Sequence, residues 1–294
     1  MNKKGVEREG IIMLSKAKTL RGYSLQNIDG ETIGKVKEFH FDDRYWTVRY
    51  LVANTGPRLT GRQVLISPQA LIAVNHDHKN IVTDLTKKQI ESSPVVATDK
   101  PVSRQREEEL QSHYGWWPYW SMGPYAGLGH PVPDSLSERA QAGTRVEAKP
   151  TGDPTLRSMQ HVRGYRIQVA DGEIGHVEDF LIDDATWAIR YLLVATRNWW
   201  PGKKVLVSPL WIERVSWSES KVFVNLSLDA IRQSPEYTEA ALLTRDYETR
   251  LHRHYDRHGY WVAEMVVAEH TLWQLKDGTI QSQANRGPAK ATLL

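Results

Sequence analysis

Acidic pairs placed shortly before an arginine are the first pattern in this sequence that could do chemistry. Asp42–Asp43 precede Arg49, and Asp183–Asp184 precede Arg190. Adjacent carboxylates could hold Mg²⁺ or act as an acid and a base, and an arginine could bind an acidic ligand. Neighbouring aspartates in a turn are usually solvated, however, and an arginine among large hydrophobic residues usually pairs with a carboxylate across the sheet. We therefore expect Arg49 and Arg190 to be structural, and we assign no catalytic residue.

Histidines near the end of the chain are a second pattern with possible chemistry. His254 and His258 lie four residues apart, which is one helical turn, and His252 stands close by. Two such histidines can begin a zinc site, but further ligands with supporting hydrogen bonds are not evident, and the first half of the chain has only His113 at the matching place. We expect structural or surface histidines, with no metal and no cofactor.

Recognised catalytic motifs are missing from the sequence. It has no G-x-S-x-G, no H-E-x-x-H, no G-x-x-x-x-G-K-[ST] and no cysteine that could act as a nucleophile. These absences favour a protein that is not an enzyme. An unrecognised hydrolase or a small-molecule-binding protein remains an alternative.

An internal repeat is the strongest signal in the chain. The stretch RGYSLQNIDGETIGKVKEFHFDDRYWTVRYL, beginning at Arg21, returns as RGYRIQVADGEIGHVEDFLIDDATWAIRYL, beginning at Arg163. After a gap of one residue near Thr32, Trp46 matches Trp187 at a separation of 141 positions, and the same separation continues into the tail of each copy. The sequence therefore predicts two related units in tandem.

Each copy predicts a small β unit followed by helix. Two β-prone runs flank Asp29–Gly30, as in a hairpin, and the strand from Trp46 to Ala53 is rich in β-branched and aromatic residues. We expect Trp46, Val48, Tyr50 and Val52 to share one face of that strand. Thr86, three residues before Gln89, predicts a helix N-cap.

A known family shares these motifs. The segments GYSLQNIDGETIGKVKEFHFDDRYWTVRYLV and VLISP, and their second copies, resemble the PRC-barrel superfamily. The resemblance implies a barrel like the one in the cytoplasmic part of the photosynthetic reaction-centre H subunit and the C-terminal part of a ribosome maturation factor, where it serves as a docking surface. The expected fold is mainly β with helical tails: two small antiparallel PRC-type barrels in tandem, each followed by α-helix. The expected divisions are residues 15–95 and 156–236 for the barrels, 96–155 for a helical tail with an aromatic Pro/Gly-rich linker, and 237–294 for the second tail.

Clustered tryptophans are the candidate contact residues for a partner. Aromatic residues dominate protein interfaces, but they could instead cover the barrels or the boundary between the repeats. The candidates for partner binding are Trp116, Trp117, Trp120, Trp199 and Trp200. The residues expected to have matched structural roles in the two repeats are Trp46, Trp187, Arg49, Arg190, Tyr50 and Tyr191.

Composition and charge limit the kinds of function that the sequence favours. A net charge of +3, from 38 basic and 35 acidic residues, is too small for the broad positive field of a general nucleic-acid-binding protein. The lack of cysteine and of a long apolar run fits a cytoplasmic protein without a transmembrane segment, and the family resemblance implies a bacterial one. We expect a non-catalytic adaptor or scaffold that binds a protein partner or a second copy of itself, with an RNA- or ribosome-associated factor as an alternative.

Overall fold

The computed structural model describes residues 13–56, 62–94, 102–121, 156–196, 203–238 and 243–262. The strands of the first half of the chain are β1 (Leu14–Lys16), β2 (Ser24–Asn27), β3 (Thr32–Asp42), β4 (Thr47–Thr55), β5 (Gln63–Ile66), β6 (Leu71–Asn75) and β7 (Asn80–Thr83). The strands of the second half are β8 (Leu156–Ser158), β9 (Arg166–Val169), β10 (Gly172–Asp183), β11 (Ile189–Thr196), β12 (Lys204–Val207), β13 (Ile212–Ser216) and β14 (Lys221–Val224).

Short helices connect and follow these strands. They are α1 (Ala17–Leu20), α2 (Lys87–Glu91), α3 (Arg104–Tyr114), α4 (Met159–Val162), α5 (Leu228–Arg232) and α6 (Arg245–His254), with 3-10 turns at Pro68–Ala70, Tyr119–Ser121 and Pro209–Trp211. The predicted capping box is present, because the Thr86 side chain accepts a bond from Gln89 N–H and the Gln89 side chain accepts one from Thr86 N–H. The predicted mainly β fold with helical tails is confirmed.

Both sheets have the same strand order. The first sheet runs β5-β4-β3-β2-β7-β6, and the second runs β12-β11-β10-β9-β14-β13. Neighbours are antiparallel except for one parallel pair in each sheet, β2 with β7 and β9 with β14. The expectation of purely antiparallel units is therefore wrong for these two pairs, because β7 and β14 run in the same direction as the strands beside them. Among the described strands, no pairing joins the edge strands β5 and β6 into a closed ring.

The two units exchange their first strands. β1 pairs with β10 of the second sheet, and β8 pairs with β3 of the first sheet. The backbones also meet directly between the units, since Val48 N–H donates to the Trp187 carbonyl at 2.9 Å and Ile189 N–H donates to the Trp46 carbonyl at 2.8 Å. We call this contact, formed by β1, β8 and the turns that carry Trp46 and Trp187, the seam. It relates the repeats by approximate two-fold symmetry, so that one chain resembles a dimer.

A continuous hydrophobic core crosses the seam. Phe41 lies with its ring centroid 5.2 Å from that of Trp46 in its own unit and 5.7 Å from that of Phe180 in the other. All members of the main core cluster are less than a tenth exposed, and they come from both units. Burial of this shared apolar surface stabilises the pair of units as one folded body.

A β-bulge changes the predicted faces of β4. The pairing passes from His40 with Tyr50 to Phe41 with Val48, which leaves Arg49 as the extra residue. Val48 therefore packs in the main core, whereas Tyr50 lies in a separate cluster beneath α3. The expectation that these two residues share a face is wrong, because an extra residue in a strand reverses the alternation of side chains. The same bulge occurs at Arg190 in β11.

Candidate functional site

Trp46 and Trp187 occupy equivalent turns at the seam. Both have a positive φ, 51° and 60°, and their N–H groups donate to the carbonyls of Asp42 at 2.8 Å and Asp183 at 2.7 Å. Trp187 is buried and Trp46 is half-buried. The left-handed conformation lets each Trp carbonyl reach the other unit, as described above. Both tryptophans therefore hold the repeats together, which explains why they recur at matched positions.

Each bulged arginine pairs with the first aspartate of its acidic pair. Arg49 Nη2 lies 3.3 Å from Asp42 Oδ2, and Arg190 Nη2 lies 2.8 Å from Asp183 Oδ2, with both partners buried in each case. The aspartates also cap the turn that follows, as when Asp42 Oδ1 accepts from Arg44 N–H at 2.8 Å. Both arginines therefore pair with a carboxylate inside the fold. Neither Asp42 nor Asp183 faces open solvent.

A buried carboxyl fixes the first helical tail to the barrel. Glu107 on α3 is 3% exposed, and its Oε1 accepts a 2.8 Å hydrogen bond from the Tyr119 hydroxyl. Arg104 pairs with its other oxygen at 3.1 Å. Arg49 lies over the ring of Tyr119, 4.4 Å from the centroid. We call this set the first polar network; its members are Asp42, Arg49, Tyr50, Arg104, Glu107, Gln111 and Tyr119.

Burial is the main cause of the shifted pKa of Glu107. It raises the pKa of Glu107 to about 7, although the bond from Tyr119 and the charge of Arg104 act in the opposite direction. Burial also raises the pKa of Tyr50 well above its ordinary value. The network therefore contains a carboxyl, on the buried face of the tail helix, that changes its charge near neutral pH.

The second unit repeats the network with one replacement. Tyr260 donates to Glu248 Oε1 at 2.9 Å, Arg245 pairs with Glu248 at 3.0 Å, and Arg190 lies over the Tyr260 ring at 4.0 Å. Tyr191 Oη lies 3.0 Å from Glu248 Oε1 and 3.0 Å from His252 Nε2. We call this set the second polar network; its members are Asp183, Arg190, Tyr191, Arg245, Glu248, His252 and Tyr260.

His252 takes the place of Gln111, and its surroundings determine its protonation. Its Nδ1 lies 2.9 Å from the His258 carbonyl oxygen, which can only accept, so Nδ1 donates to it, and Nε2 lies beside the Tyr191 hydroxyl. Burial lowers the pKa of His252 to about 4, with the charge of Arg245 acting in the same direction. His252 is therefore a neutral structural histidine at neutral pH.

The networks were missed by motif searches because no single motif marks them. Their signal was present, however, in the repeat: Arg104 and Glu107 recur as Arg245 and Glu248 at the separation of 141 residues. Polar residues that recur inside a predicted amphipathic helix point to a shared buried partner.

The ends of the seam differ in chemistry. At one end Asp184 Oδ2 lies 2.6 Å from His76 Nε2 and accepts a 2.9 Å bond from Ser15. At the other end, Arg157 Nε donates to Asp43 Oδ2 at 2.8 Å, and its guanidinium lies 4.0 Å from the centroid of the Trp217 ring. Both clusters join the units, but only the first contains a histidine.

Comparison with known families agrees with this architecture. The family model of the PRC-barrel domain matches residues 14–90, from the exchanged strand β1 to the helix α2. The first unit is a PRC-barrel domain. The second unit, with the same strand order and matched residues, gives the chain a tandem barrel-like arrangement. No curated protein matches the chain significantly.

The candidate tryptophans lie in different environments around the PRC-barrel domain. Trp116 stacks on Tyr114 with a centroid distance of 4.1 Å, and Trp120 lies under Arg104 at 3.7 Å. Trp117 is 72% exposed. Trp199 and Trp200 lie outside the described residues. Partner binding by these residues stays a prediction, and Trp117 is the described candidate whose ring is open to solvent.

Three further properties bear on function. Within the described parts of the chain, no group of three His, Cys, Asp or Glu side chains is arranged to hold a metal ion. His254 Nε2 lies 2.7 Å from the Ala230 carbonyl, which ties the helix α6 to α5 in the second unit. None of the described helices combines the length and the hydrophobicity that crossing a bilayer would require.

Proposed function

We propose that this chain is a non-catalytic, cytoplasmic adaptor whose PRC-barrel pair presents Trp117 to a protein partner. The observation that carries the proposal is the contrast between the exposed ring and the fixed backbone of this residue. The Gln69 side chain donates to the Trp117 carbonyl at 3.0 Å, and its oxygen accepts from Trp117 N–H at 3.3 Å. A large aromatic side chain on a backbone that is already ordered loses little entropy on binding.

The internal packing supports an adaptor over an enzyme. The acidic and basic residues that could have served catalysis are used in buried pairs, Asp42 with Arg49 and Asp183 with Arg190. Glu107, the buried carboxyl with the raised pKa, lies on the buried face of α3 and accepts a bond from Tyr119. These contacts hold the tails and turns in place, which leaves the outer surface for binding.

A pull-down with the full chain as bait tests the proposal. We expect one defined protein to be retained at moderate salt by the wild type, and to be lost with Trp117→Ala. His258→Ala, at the matching exposed position of the second unit, serves as the control and should retain the partner. Equal recovery by Trp117→Ala and the wild type would overturn the assignment of Trp117. Retention of RNA that disappears at higher salt would favour the RNA-associated alternative.

A further inference from the structure

Each unit has an edge strand, β6 or β13, with the same pattern of burial but a different charge. β6 closes one side of the first sheet, and β13 closes the same side of the second. Both have the same pattern of burial along their five residues, with the second and third residues exposed. Those residues are Ile72 and Ala73 in β6, and Glu213 and Arg214 in β13.

Charged residues are exposed on β13, and β6 has none. The guanidinium of Arg214 lies 3.4 Å from the centroid of the Phe223 ring on the neighbouring strand, which fixes a positive charge at the edge. β6 has the sequence LIAVN, without a charge, and Ile72 is 57% exposed. Natural sheets protect exposed edges with charges because an unpaired row of N–H and C=O groups is a template for another strand. β6 lacks these charges. A β-bulge is common to both edges, at Ile72 in β6 and at Glu213 in β13, so charge is what distinguishes them.

We propose that β6 pairs antiparallel with β6 of a second copy of this chain, which joins two first sheets into one across a two-fold axis. The residues of β6 are complementary to themselves in this arrangement. With Ala73 opposite Ala73 of the other copy, the flanking residues, Ile72 at the β-bulge and Val74, bring no charge into the contact. The same pairing of β13 would place Arg214 opposite its own copy, and like charges directly opposite each other destabilise a sheet.

Association through β6 stops at two chains. Because the contact uses β6 of both copies, neither chain has a free β6 left once the pair has formed. The remaining edge strands of the described sheets, β5 and β12, are buried after their first residue. This surface is distinct from Trp117, and the inference stands without the proposed function.

A disulfide trap tests the register directly. The chain contains no cysteine, so a single introduced thiol can cross-link only to its copy. Residues directly opposite in an antiparallel pair have Cβ atoms about 4.5–5.5 Å apart, close enough for a disulfide after small shifts. We expect Ala73→Cys to form a covalent dimer under mild oxidation, whereas Ser218→Cys, in the exposed turn after β13, leaves the charges of β13 in place and should remain monomeric. Equal cross-linking of the two variants, or none with Ala73→Cys, would overturn the proposal.

Exchanging residues between the edges gives a second test that needs no cysteine. In sedimentation equilibrium, the wild type should rise towards twice the monomer mass with concentration, while Ile72→Glu with Ala73→Arg should stay at the monomer mass. Because the second unit carries those residues at the same exposed places, the double variant should keep the circular dichroism spectrum and thermal midpoint of the wild type. Glu213→Ile with Arg214→Ala should add a second open edge and give species larger than a dimer.

The outcomes separate this inference from the proposed function. Trp117→Ala should leave the dimer unchanged. A wild type that stays monomeric at every concentration, or a dimer that survives in the folded Ile72→Glu, Ala73→Arg variant, would place any association elsewhere and overturn the inference. Loss of the dimer in Trp117→Ala, with β6 intact, would do the same.

Discussion

Gln111 and His252 occupy equivalent positions beneath the two tail helices. Each faces the buried tyrosine of its barrel, Tyr50 in the first unit and Tyr191 in the second. The other members of the two polar networks are identical in type. The repeat therefore provides a natural substitution inside one buried environment, and it gives each tail its own dependence on pH.

His252→Gln should remove a loss of stability in acid. Since burial lowers the pKa of His252 from 6.5 to about 4, the unfolded chain binds the proton more tightly than the folded chain. The stabilisation by neutral His252 is present above pH 6.5 and is lost as the pH falls towards 4, by up to about 3 kcal/mol. Urea unfolding at pH 7.5 and pH 5 should show a smaller difference for His252→Gln than for the wild type. An unchanged difference would show that His252 is not the group that titrates.

Glu107→Gln should have the opposite effect on the pH profile. The pKa of Glu107 is raised from 4.5 to about 7, so the folded chain binds this proton more tightly. The stabilisation is fully present below pH 4.5 and is lost as the pH rises through 7, again by up to about 3 kcal/mol. The amide can still accept the bond from Tyr119. We expect unfolding of Glu107→Gln to depend less on pH between 5 and 8.

An exposed glutamate on the same helix is the control for Glu107. Glu109 pairs with Arg106 at the surface, and about two-fifths of its side chain is exposed. Glu109→Gln should keep the pH profile of the wild type, because a surface pair contributes little to stability. Profiles that coincide for both variants would contradict the assignment of the transition to Glu107.

Asp183→Asn should be strongly destabilising. It leaves the buried guanidinium of Arg190 without its counter-charge, and breaking one partner of a buried pair typically costs about 3–5 kcal/mol. Glu219→Gln, which breaks an exposed pair with Lys221, should change the free energy of unfolding by about 1 kcal/mol or less. Chemical denaturation of the two variants checks the contrast, and similar losses would argue against a buried role for Asp183.

Local chemistry made part of the fold predictable. The Asp29–Gly30 hairpin, the cap at Thr86 and the pairing of Arg49 with a carboxylate each depend on residues close in sequence or on the pleat of one sheet. The repeat then extended these local predictions to the second unit, at a separation of 141 residues after the gap near Thr32.

Contacts between distant segments were not predictable in the same way. The sequence of β1 does not show whether it pairs within its own unit or with β10, because three residues carry too little pattern to choose a partner. The pair of His76 and Asp184 depends on that choice, as it joins segments 108 residues apart across the seam. The bulge at Arg49 was hidden for another reason: its strand alternates as a regular strand does, and only the register with β3 shows the extra residue.

The exchange of β1 and β8 predicts that the halves of the chain stay together without a covalent link. Each half supplies a strand to the other sheet, and the core is shared across Phe41 and Phe180. A protease site introduced between residues 121 and 156 should therefore give two fragments that elute as one species in gel filtration and separate only in denaturant. As a control, cleavage combined with Phe180→Asp should release the fragments, because it places a charge in the shared core. Fragments of the cleaved wild type that separate in native buffer would show that the linker, and not the exchanged strands, holds the units together.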